Sequence, residues 1–195
     1  MYSTLSHFAV KPKSTIQLIV LLFEIPEKFN HVVFDLFWGY PTKGVDALDA
    51  SCMMMNGKSL LNLCDFRNKH PLKKGISHTG DIFDNENRIG HQTIEVSLKE
   101  IPTEITHLFF TLSAFNSPNL SDFPNPSLRF YEKVNPNKAL CNTTFQHAGS
   151  SQAVIMCYVT RNKNNRWEIF ELGKESAGNA NNYEPLVKTI TCLVI

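Results

Sequence analysis

The 195-residue chain reads as all-β, a single antiparallel β-sandwich with few short helices. Three observations predict it. Short apolar runs recur along the chain, turn chemistry parts them at intervals of roughly 8–15 residues, and helical periodicity is nearly absent. Phe is also over-used, at 14 residues, and Phe favours pleated, half-buried surfaces.

Taken in order, Ile16-Phe23 is continuously apolar, as a strand covered on both faces would be. Phe29-Trp38 follows and is closed by Gly39-Tyr40-Pro41. Leu48-Met55 ends at Asn56-Gly57, a pair suited to a tight hairpin, with Ser59-Phe66 on its far side. The Met53-Met54-Met55 run within it is strand core and edge. Thr93-Leu98 alternates Ile94, Val96 and Leu98 with polar residues, the period of a half-buried strand. Leu108-Phe115, Ser127-Val134, Val154-Thr160 and Trp167-Leu172 complete a set of about nine strands. Tyr183-Ile190 is the best helical segment, because Glu184-Pro185 opens a short apolar-periodic stretch. No linker divides the chain, so residues 1–190 are expected to form one domain, with 191–195 as a C-terminal tail.

Hydrophobic residues make up 43% and charged residues 19%, enough for a packed core and wrong for a disordered chain. A formal net charge of +1 gives no whole-molecule field to attract nucleic acid, so no nucleic-acid partner is expected. The five cysteines lack CxxC or Cys/His zinc spacing, and Cys52, Cys64 and Cys157 sit in apolar runs. They read as reduced thiols in a cytoplasmic protein. The apolar stretch at Ile16-Phe23 runs straight into Glu24 and Pro26 without a small-residue cleavage site, so it is not a secretion signal.

Several fragments, in order, resemble the TerD family of stress-response proteins. Asp46-Ala47-Leu48-Asp49-Ala50-Ser51, shortly after Trp38-Gly39, is similar to the family's W…DLDAS segment. Phe66-Arg67-Asn68 and His78-Thr79-Gly80-Asp81 resemble its F-x-N-N…H-S-G-D. Ile94-Glu95-Val96-Ser97-Leu98 with Ile101-Pro102, and Tyr158-Val159-Thr160-Arg161 with Arg166-Trp167-Glu168-Ile169-Phe170 and Gly173, resemble two further segments. The resemblance implies a β-sandwich, a role in tellurite and other chemical stress, calcium binding and, in slime-mould members, cyclic-AMP binding. It does not imply catalysis.

The family's calcium ligands come from DLDAS and from a G-D-D-E segment. Ala47 replaces the first Asp, and Ile89-Gly90-His91-Gln92 falls over G-D-D-E, so Gly90, His91 and Gln92 replace three acids. Calcium wants six to eight oxygens, mostly carboxylates and carbonyls. If Ca2+ binds, its ligands are expected among Asp46, Asp49, Asp81, Asp84 and Glu86, the last three in one loop. The plainer reading makes Asp49 and Asp81 turn caps.

His78 and His91 are the remaining candidates. With Asp81 they could hold a transition metal, and His91 against Asp81 or Asp49 could begin a general base in a metal-dependent enzyme. No G-x-S-x-G or H-E-x-x-H motif accompanies them. Lys69, Lys73 and Lys74 form a basic turn that is either solvated or suited to phosphate headgroups. Cys192-Leu193-Val194-Ile195 has the C-a-a-X form, which would make Cys192 a lipidation site and the protein membrane-associated. The expected function is a non-enzymatic binding or scaffold module in stress response, engaging protein partners. The alternative is a cyclic-nucleotide binder.

Overall fold

The computed structural model describes residues 10–13, 19–42, 46–144 and 150–194, so the start of the strand expected from Ile16 lies outside the described residues. Among these, eleven strands run in order: β1 (Val20–Glu24), β2 (His31–Gly39), β3 (Leu48–Asn56), β4 (Ser59–Cys64), β5 (Ile76–Asp84), β6 (Ile89–Ser97), β7 (His107–Ala114), β8 (Ser127–Glu132), β9 (Ala139–Thr144), β10 (Ala153–Arg161) and β11 (Trp167–Ser176). One α-helix, α1 (Glu184–Leu193), follows. The strands form two antiparallel sheets, ordered β1-β11-β10-β7-β3-β4 and β5-β6-β2-β8-β9.

The expected sandwich is therefore present, and its core lies between the sheets. Phe34 of β2 stacks on Phe110 of β7 across the two layers, ring centroids 3.7 Å apart, and Phe130 of β8 leans on Phe34 at 5.0 Å. The six-stranded sheet is covered on its other face too. Met53, Met55, Phe109, Ala153 and Ile155 form a second cluster with Leu186, Ile190 and Val194. That spacing of four residues lays one stripe of α1 on the sheet. Hence β3 is buried on both faces: Leu48, Ala50, Cys52 and Met54 face the first core, Met53 and Met55 the second.

Two strands escaped the sequence reading. β9 is short and weakly apolar. β5 carries Gly80-Asp81 in its middle, where the alternation fails. The failure has a structural cause: the β5–β6 register slips between His78, opposite Ile94, and Asp81, opposite Gln92. Three steps on β5 match two on β6, a β-bulge, and Gly80 takes the positive φ of +87° that it needs. β6 also begins at Ile89, so residues 81–84 and 89–92 are paired strand rather than the single loop expected for Asp81, Asp84 and Glu86. α1 begins where expected, with Pro in its first turn, but continues through residues 191–193.

Candidate functional site

β4 ends at Cys64, opposite Cys52, so β3 from Leu48 to Ser51 has no strand partner on that side. Side chains from the other sheet take the place of a strand. The Ala50 N–H donates to Gln92 Oε1 at 2.6 Å, and His78 Nε2 donates to the Ala50 carbonyl at 3.1 Å. Gly80 N–H donates to His78 Nδ1 at 2.8 Å, which fixes the neutral tautomer with the proton on Nε2. That proton also lies near Gln92 Oε1, which is 3.1 Å from Nε2. Burial keeps the His78 imidazole below its ordinary pKa, in keeping with a neutral ring.

These donors fix the Gln92 carboxamide. With Oε1 held by Ala50 and His78, its NH2 group must point the other way, where it donates to Asp81. Gln92 is fully buried and Asp49 nearly so, at 5% exposure. Burial, reinforced by Asp81 and Asp65, raises the Asp49 carboxyl to a pKa of about 7, and a hydrogen bond from Gln92 only partly offsets this. Asp49 Oδ2 has no hydrogen-bond partner among the described residues. A carboxyl near half-protonation at neutral pH meets the excess of negative charge with a proton.

Beside this cluster stands Asp65, which the sequence reading missed. Its Oδ1 accepts the Arg67 and Asn68 N–H groups at 2.9 and 2.7 Å, and its Oδ2 accepts the Tyr183 hydroxyl at 3.0 Å. The Tyr183 hydroxyl also lies 2.8 Å from Ser51 Oγ, and burial raises its pKa. Arg67 pairs with Asp65 at 3.5 Å and donates to the Ala180 carbonyl. So β3, the 65–68 turn and the entry to α1 meet at one pole of the sandwich.

The raised Asp49 pKa carries a stability consequence. A carboxyl whose pKa is 3.8 when exposed and about 7 when folded favours the folded state below pH 4. That advantage is lost as pH rises through about 7. At 1.36 kcal/mol per unit, this site alone should make the fold lose about 4 kcal/mol between pH 4 and pH 8. Urea titrations at several pH values should show that slope, and Asp49→Asn should flatten it while raising stability at pH 8. A parallel slope in the variant would assign the effect elsewhere.

The other expected site residues disperse. His91 neighbours Gln92 on β6 and therefore points to the opposite face of the sheet. It meets neither Asp49 nor Asp81. Its Nδ1 lies 3.0 Å from Asp35 Oδ1, which also accepts the Thr93 hydroxyl at 2.7 Å, and its ring stacks on Phe37 at 5.1 Å. This corrects both the pairing expected for a general base and the His78–His91–Asp81 metal set. Asp46 Oδ1 accepts the Ala47 N–H at 2.8 Å and Asn116 Nδ2 at 3.3 Å. Asp84 caps the β5–β6 turn through Asn87, and Glu86 is exposed in that turn. Cys192 is exposed on α1, while Val194 is buried in the second cluster. Ile195 lies outside the described residues. Among the described residues no helix is long and apolar enough to cross a membrane.

Comparison with known proteins bears on this pole directly, because the matched region contains all of it except the body of α1. The model of the TerD domain family matches residues 20–184. The chain belongs to the TerD family. Tellurium resistance protein TerZ of Serratia marcescens is 27% identical over 155 residues, covering 78% of this chain and 77% of that protein. The crystal structure of a homologue of telluride resistance protein (TerD) from Streptomyces coelicolor A3(2) superposes with a TM-score of 0.65 at 15% identity. It covers 80% of this chain and 96% of its own. A protein of unknown function superposes equally well, with a TM-score of 0.65 at 13% identity over 81% of this chain and 96% of its own. At these identities the two structures establish the shared fold.

The donor set of this TerD-family chain suits calcium poorly. Gln92 offers the Asp49–Asp81 pair a nitrogen-bound proton instead of an oxygen, and both His78 nitrogens are already engaged. Gly90 has no side chain and His91 faces away. Among the described residues no three His, Cys, Asp or Glu side chains gather as a metal ion would require.

Proposed function

We propose that this TerD-family chain is a non-enzymatic binding or scaffold module in the response to tellurium and related chemical stress, and that it works without calcium. The Gln92 carboxamide carries this reading. It links Asp81, the β3 edge and His78 by hydrogen bonds, the bridging role a cation would otherwise serve. The name of the Serratia relative, a tellurium resistance protein, supports the stress assignment. The β5–β6 hairpin supports a scaffold role, since Ile82, Phe83 and Ile89 stand about 40% exposed there. Such an apolar edge is what a partner protein would cover.

The test is genetic. Deleting the chain in its own host should increase sensitivity to tellurite, and wild type should restore tolerance. His91→Ala should restore it equally, since the His91–Asp35 pair has no chemical part in this account. Unchanged tolerance after deletion would sink the stress reading. Failure of a folded His91→Ala protein to rescue would favour an enzyme.

A further inference from the structure

We propose that the cleft between the 66–75 loop and the β2–β6 end of the five-stranded sheet binds a phosphoryl group, carried by a small molecule or a lipid headgroup. The cleft encloses about 470 Å³, and His31, His70, Lys73, Lys74, Ser77 and Lys133 are among its lining residues. That volume suits small-molecule sites, which run from roughly 300 to 1,000 Å³.

The basic wall is held in place before any ligand arrives. The Lys69 carbonyl accepts the His78 N–H at 2.9 Å, the Pro71 carbonyl accepts Asn62 Nδ2 at 3.1 Å, and the Gly75 carbonyl accepts the Ser97 N–H at 2.7 Å. Gly75, with φ of +105°, packs so closely on Glu100 that a Cβ would lie 3.1 Å from its carbonyl oxygen. A loop pinned at three points has already lost the entropy that ligand binding would otherwise cost.

Charge selects the ligand class. Two carboxylates line the cleft, but Glu95 is taken by Lys133 at 2.5 Å. Among the described residues Lys73 and Lys74 have no ion-pair partner, so the cleft is lined by two exposed, unpaired ammonium groups against one remaining carboxylate, Glu100. The opposite wall adds a hydroxyl donor. Asn30 Nδ2 donates to His31 Nε2 at 3.2 Å, so the His31 proton sits on Nδ1 and points at Ser97 Oγ, 2.9 Å away. Ser97 therefore accepts there and keeps its own proton for a ligand. Two ammonium groups and a hydroxyl around an open cavity match the oxygens of a phosphoryl group.

The full chain should be titrated calorimetrically with sodium pyrophosphate. In parallel it should be floated with phosphatidylcholine vesicles that contain or lack phosphatidylinositol 4-phosphate. Saturable binding is expected in at least one arm: pyrophosphate alone identifies a soluble phosphorylated ligand, and phosphoinositide-dependent flotation identifies a headgroup. Lys73→Gln/Lys74→Gln should weaken that binding roughly tenfold or more, as loss of two lysines near an anionic group implies. Its Tm should be unchanged, since both side chains are exposed. Lys163→Gln/Lys188→Gln, with the same charge removed outside the cleft, should bind like wild type. No binding in either arm, wild-type binding by the first variant, or equal weakening by the second would overturn the site.

Discussion

Replacing Gln92 by Glu is expected to destabilise the protein by about 3–4 kcal/mol at pH 7. One oxygen of the introduced carboxyl could still accept from Ala50 and His78, as Gln92 Oε1 does. The other would replace the NH2 group that faces Asp81 and Asp49, turning a donor into an acceptor between two carboxylates. The new carboxyl must then hold a proton far above its ordinary pKa of about 4.3, or stay charged and repelled. Its folded pKa is raised, so variant and wild type should match near pH 4 and diverge as pH rises through the folded value. The shift at pH 7 should be roughly 10 °C in Tm for a chain of this length. Equal melting temperatures at pH 7 would mean that Gln92 does not hold the acids apart.

Gly90→Ala should be the second severe change, by about 2–3 kcal/mol, because it overpacks the core. Gly90 faces the buried Trp38 indole so closely that a Cβ would lie 2.6 Å from Nε1 and closer still to two ring carbons. Neither side can yield cheaply: Trp38 is 1% exposed and Gly90 is paired with it in the β2–β6 register. Trp38→Phe removes the crowding atoms at its own cavity cost, so the double variant should be more stable than the two single losses predict by about 1 kcal/mol or more. Strict additivity in denaturant titrations would refute the contact.

The sandwich was legible wherever burial was continuous or alternating. Residues 31–39, 48–56, 107–114 and 153–161 carry their apolar pattern without interruption. β5 was hidden by its bulge, since the extra residue at Thr79-Gly80 breaks the two-residue period that marks a strand. For the site, family fragments singled out Asp49 and Asp81 as candidate ligands, but presented Gln92 only as a lost acid and not as the group that links them. The error over His91 was avoidable: carrying the alternation of Ile94 and Val96 back along β6 puts Gln92 on the core face and His91 on the other. Asp65 and Tyr183 lie 118 residues apart, and nothing local announces their hydrogen bond. Asp65 did carry a weak signal, an Asp three residues before Asn68 in a turn-forming stretch.

Calcium-dependent melting of wild type beside Gln92→Glu distinguishes a carboxamide bridge from a calcium site at this pole. Wild type should melt at the same temperature in millimolar calcium and in chelator, because a carboxamide already bridges its acidic pole. Gln92→Glu, with a third carboxylate facing Asp49 and Asp81, should recover several degrees as calcium saturates it. A saturable calcium-induced rise in the wild-type Tm, abolished by Asp49→Asn, would contradict the account.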